Sequence, residues 1–154
     1  MLFFLYGVLI LNGLIGAFLY IMMHKKRKIF SDRYGMIMAM CASGVLSFAL
    51  GMVIEFLNKN DFTVITILVL VISGTLGITF GALVKFQSLL SGFFQGTVGG
   101  VMGTMFGAVV KNPSLCNLPS ESLYTVEQSM VIFSLFSTVL VIVTASLLLY
   151  SFRV

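Results

Sequence analysis

The chain has 154 residues, of which 59% are hydrophobic and 9% charged, with a net charge of +4. A water-soluble domain carries about 25% charged residues, so these side chains cannot build a water-facing surface, and the mean hydropathy of +1.12 agrees. The composition predicts an all-α, polytopic integral membrane bundle in a single transmembrane domain, 1–154. It excludes nucleic-acid binding, because the basic residues cluster in one short loop.

Five apolar runs are long enough to cross a bilayer. The first, 2–23, carries Gly13, Gly16, Ala17 and Tyr20 on one face, with Asn12 beside that face near mid-membrane. A side-chain amide in hydrocarbon requires a partner, so Asn12 is a candidate polar or ion site and, more simply, a candidate helix-to-helix hydrogen bond. A loop follows with Lys25, Lys26, Arg27, Lys28 and Arg33. Such clusters hold a loop in the cytoplasm and attract anionic lipid.

The second run, 34–57, aligns Gly44, Ser47 and Gly51, with Glu55 one turn further on the same face. Glu55 is the one acid within an apolar run. It is a candidate ion or proton site near the outer interface, with Lys59 four residues on as a candidate partner. The turn NKND leads to the third run, 62–84, with Gly74, Gly77 and Gly81.

The fourth run, 89–110, carries Gly92, Gly96, Gly99, Gly100, Gly103 and Gly107. At about 100° per residue these glycines fall within less than half the circumference of a helix. Each costs about 1 kcal/mol against alanine, so their concentration predicts a close helix–helix contact in lipid. The short turn KFQS makes runs three and four a hairpin, expected to be the closest pair, with run two packing its small face against both. Pro113 and Pro119 interrupt the polar segment 111–128, and the fifth run covers 129–150. A faint echo, ASG-x(6)-G in run two and LSG-x(6)-G in run four, is consistent with a duplicated hairpin. The basic residues Lys25, Lys26, Arg27, Lys28, Arg33, Lys85 and Arg153 oppose Lys59 and Lys111 across the membrane. The positive-inside rule then places the N-terminus out and the C-terminus in.

No catalytic constellation is present: there is no Ser/His/Asp grouping, no HExxH and no P-loop, so a non-enzymatic protein without cofactor is expected. Met36 and Met40 form an MxxxM beside Cys41, and thioether and thiolate ligands suit Cu(I). This combination is similar to the high-affinity copper transporters of eukaryotes, which pair MxxxM in one span with GxxxG in another. Those proteins have three spans and Met-rich outer tails. The resemblance implies a soft-metal site at Met36, Met40 and Cys41. The string GxxGGxMGxMxG over 96–107 also resembles the glycine- and methionine-rich helix of small, uncharacterised multi-pass proteins of Gram-positive bacteria, which implies a bacterial cell membrane. Two functional classes follow. One is a scaffold or accessory subunit that associates with itself or with a larger membrane partner through the glycine face. The other is a small oligomeric transporter or channel.

Overall fold

The computed structural model describes residues 2–26, 32–58, 61–84, 86–112 and 126–151. They form five helices, α1 (Leu2–Lys26), α2 (Asp32–Leu57), α3 (Phe62–Gly81), α4 (Phe86–Lys111) and α5 (Val126–Ser151), with no strand among the described residues. All five are long and apolar enough to cross a membrane. Four of them run past their apolar stretches into polar flanks, while α3, at 20 residues, covers about 30 Å, close to one hydrocarbon thickness. It stops at Gly81, three residues before its apolar run ends, because the chain turns there: Ala82 donates to the Ile78 carbonyl and caps the helix. Lys59, Lys85 and the segment 113–125 lie outside the described residues, as do residues 27–31 of the basic loop.

The hub is α2, which touches each of the other four helices. Buried residues make up 61% of its apolar window, against 22% of that of α1. Alanines at 39, 42 and 49 let α2 sit deep in a cluster with Leu19 and Met23 of α1, Phe80 of α3, and Val141, Ala145 and Leu148 of α5. A second cluster joins Leu5, Met52, Phe56 and Met130 near the other end of the bundle. On α5 the small face of Ser134, Ser137, Thr138 and Ala145 is buried. Its three hydroxyls donate to carbonyls of α5 itself, which removes their demand for an outside partner.

The α4 glycines do not meet a single partner. They form two rows of four-residue spacing. Gly92, Gly96 and Gly100 lie against the antiparallel α3, and Gly99, Gly103 and Gly107 against the parallel α2. A Cβ placed on Gly92 would sit 2.7 Å from the Gly77 carbonyl oxygen, and one on Gly96 2.7 Å from that of Ser73. In the other row, a Cβ on Gly99 would sit 2.5 Å from the Gly44 oxygen, and one on Gly103 would collide with the Phe48 oxygen. These distances are impossible for a real side chain, so only glycine permits backbones this near. The α2–α4 contact is more extensive than that of the α3–α4 hairpin, which corrects the sequence-based expectation for the hairpin. Loop length favours sequence neighbours, but α4 has two small rows, and the second takes the non-adjacent α2.

Gly77→Ala and Gly103→Ala each insert a methyl group against fixed backbone, and each is expected to destabilise the bundle by about 1–3 kcal/mol. Gly7 has no atom within 4 Å of its Cβ position, so Gly7→Ala should be neutral or stabilising by up to about 1 kcal/mol. Thermal unfolding of the three variants in one detergent checks this. Equal melting temperatures for all three would contradict the assigned contacts.

Candidate functional site

Two polar features stand out inside this apolar bundle. The first is at the end where α2 and α4 both finish. Because the two helices run parallel, Gly107 brings α4 onto Glu55, whose Cβ would lie 2.9 Å from a Cβ at position 107. One turn further, Lys111 reaches across. Its Nζ lies 3.8 Å from Glu55 Oε1 and donates to the Glu55 carbonyl at 3.2 Å and to the Asn58 carbonyl. The last carbonyls of a helix have no partner within it and carry partial negative charge. Lys111 therefore both neutralises Glu55 and caps α2. Glu55 is buried, and its Oε2 has no hydrogen-bond partner among the described residues. The partner of Glu55 is thus Lys111, 56 residues away in sequence; Lys59, considered from its i,i+4 spacing, lies outside the described residues.

The second feature is Asn12. It is fully buried, and neither its Nδ2 nor its Oδ1 has a hydrogen-bond partner among the described residues. It lies on α1 about 15 Å from the helix start, at mid-height of the bundle. Helices α1 and α3 flank α2 without extended contact with each other, and the space between them is a groove of about 360 Å³ that opens sideways. Asn12, Gly13, Ala17 and Tyr20 form one wall, Leu46 and Leu50 of α2 the floor, and Leu76, Thr79 and Phe80 of α3 the other wall. Thr79 donates to the Leu76 carbonyl at 2.8 Å. Tyr20 meets Phe80 edge-on, with ring centroids 5.9 Å apart, and stacks on His24 at 6.1 Å. The aromatic pair closes one end of the groove.

The other candidates disperse. Gly74, Gly77, Gly81, Gly92, Gly96, Gly100, Gly103 and Gly107 are buried and Gly99 is partly buried, all within the chain. Met36 and Met40 are half-buried on α2, and Cys41 is exposed on the next face of that helix. Met38 and Met23, which lie nearby in sequence, fill the apolar cluster instead. No group of three or more His, Cys, Asp or Glu side chains suited to a metal occurs among the described residues. Sequence reasoning missed Lys111 as the counter-charge of Glu55. It also missed Ser43, which donates from α2 to the Gly92 carbonyl of α4 at 3.2 Å. The signal for Ser43 was its place one turn before Ser47 on the small face of α2.

Lys111→Met leaves Glu55 buried without counter-charge and α2 without its cap. It should cost more than Glu55→Gln, and the double variant should recover part of the loss, with a coupling of about 0.5–3 kcal/mol from a double-mutant cycle. Additive effects would contradict the pairing. Asn12→Leu replaces a buried amide that has no partner among the described residues by a side chain of similar size. It should raise stability by about 1–3 kcal/mol; a fall in melting temperature would show that the amide has a partner.

No family model, no curated protein and no solved structure matches this chain.

Proposed function

We propose that the chain is a non-enzymatic integral membrane protein, a scaffold or accessory subunit of a bacterial cell membrane, with its N-terminus outside and its C-terminus inside. Five helices of membrane-crossing length support the membrane assignment. Orientation rests on the basic residues, seven of which (Lys25, Lys26, Arg27, Lys28, Arg33, Lys85 and Arg153) fall on one side in this arrangement.

The observation that carries the scaffold reading is the backbone contact on both sides of α4. Carriers that alternate between open states move one group of helices against another. Here α2, α3 and α4 meet through carbonyls and glycine Cα atoms, so sliding any one of them drives a side chain into backbone. A rigid centre of this kind suits a subunit that presents a fixed surface. Since both glycine rows are used inside the chain, association falls to the outer faces of α1 and α5. There Phe3, Leu14, Phe136 and Leu147 are among the most exposed apolar side chains.

Native mass spectrometry of the tagged chain, extracted in a mild detergent from the cells that make it, should show a defined complex with another membrane protein. Proteoliposomes of the purified chain should carry no ion flux, including Cu(I). A self-assembled ring with flux would overturn the scaffold reading in favour of a channel. For orientation, Cys116 should react with an impermeant maleimide in intact cells, and a cysteine introduced at Ile29 should not; the reverse pattern would invert the assignment.

A further inference from the structure

The groove between α1 and α3 carries an inference that goes beyond a structural role. Asn12 combines three properties that do not occur together elsewhere among the described residues. It is completely buried, both polar ends of its amide lack a partner, and it lines an open cavity. An unpaired amide lowers the stability of the bundle, and a side chain that does so beside a cavity is explained if something in the cavity completes it.

We propose that this groove binds a neutral, lipid-soluble molecule in which a carbonyl or hydroxyl group adjoins a hydrocarbon tail, the chemistry of quinone-type lipids. The polar group meets the Asn12 amide once that side chain turns out of the wall into another rotamer, and the tail lies along Gly13, Ala17 and Tyr20. Depth selects the charge. Asn12 stands near the middle of a membrane-length helix, where an ionic headgroup is strongly disfavoured and a weakly polar carbonyl or hydroxyl is tolerated. The amide reads either group, because Nδ2 donates to a carbonyl and Oδ1 accepts from a hydroxyl. The walls select the rest: apart from Asn12, Tyr20 and Thr79 they are apolar, and the Thr79 hydroxyl is already engaged by Leu76. Tyr20 lies about 12 Å along α1 from Asn12, which sets the length of tail that the groove covers.

The groove holds about 360 Å³, within the usual range for small-molecule sites. Entry is from the side, over Gly13, where no atom lies within 4 Å of the Cβ position. The amide sits in the wall, so contact with the polar group requires a change of its side-chain rotamer.

The test uses the full chain in nanodiscs with 15N-labelled asparagine and, as probe, a decyl-substituted benzoquinone. The Asn12 side-chain amide resonance, assigned by its loss in Asn12→Leu, should shift saturably with the probe and stay in place with dodecane. Equilibrium dialysis should show binding about tenfold weaker in Asn12→Leu and lost in Gly13→Leu, which fills the mouth. Gly7→Leu, also in open space but outside the groove, should bind as the parent does, and melting curves establish that all variants are folded. An equal response to dodecane would overturn the proposal by reducing the groove to a hydrocarbon crevice. Failure of the quinone to shift the resonance would also overturn it. So would a resonance that moves with protein concentration alone, which would mean that a second copy covers Asn12.

Discussion

The structure depends on one constraint: helices surrounded by hydrocarbon gain little by hiding apolar side chains from it, so they must associate through close packing and polar contacts. In this chain α4 meets that constraint by dispensing with side chains along two rows. Gly92 and Gly96 admit the backbone of α3 and Gly100 its Ser73 side chain, while Gly99 and Gly103 admit the backbone of α2 and Gly107 the Glu55 side chain. At such separations many dispersion contacts and Cα–H···O contacts form at once, each small and together substantial. The helix-propensity cost of six glycines, about 1 kcal/mol each, is offset by two interfaces that no larger residue would permit.

The rest of the bundle follows from this three-helix centre. Since α2 and α4 run parallel, they finish together, and Lys111 of one can cap the other while facing Glu55. Ser43 adds a hydrogen bond from α2 to the α4 backbone at the Gly92 carbonyl. The remaining faces of α2 carry alanines toward α1 and α5. Helix α1 lies on α2 and meets α3 only at the Tyr20–Phe80 end. The groove and the unpaired Asn12 are consequences of that gap. The centre is rigid, and the site with an unmet polar demand lies at its edge.

Much of this was legible in the sequence for identifiable reasons. Apolar runs of membrane length locate all five helices, and glycines at spacings of three and four mark where backbones approach. The partners were not legible. A step of seven residues, from 92 to 99 or from 96 to 103, returns to nearly the same helix face, so one broad glycine face and two adjacent rows have the same pattern, and only the three-dimensional arrangement separates them. Local spacing offered Lys59 as the partner of Glu55, whereas Lys111 comes from a helix two crossings later. Met36, Met40 and Cys41 are close in sequence, yet about 100° per residue carries Cys41 to the exposed side. Asn12 was marked by its chemistry, but the groove beside it arises because α1 and α3 meet only at the Tyr20–Phe80 end, which no local pattern encodes.

The central claim, that the glycines of α4 are satisfied within one chain, can be tested on the α2-facing row by disulfide trapping. Gly44 and Gln95 face each other, with a Cβ at position 44 lying 3.0 Å from Gln95 Cγ. With Cys41 and Cys116 replaced by serine, Gly44→Cys and Gln95→Cys in one chain should form a disulfide in the monomer. Chains carrying the two substitutions separately should not cross-link when expressed together. A disulfide that forms only between chains would contradict the account and make α4 an intermolecular helix.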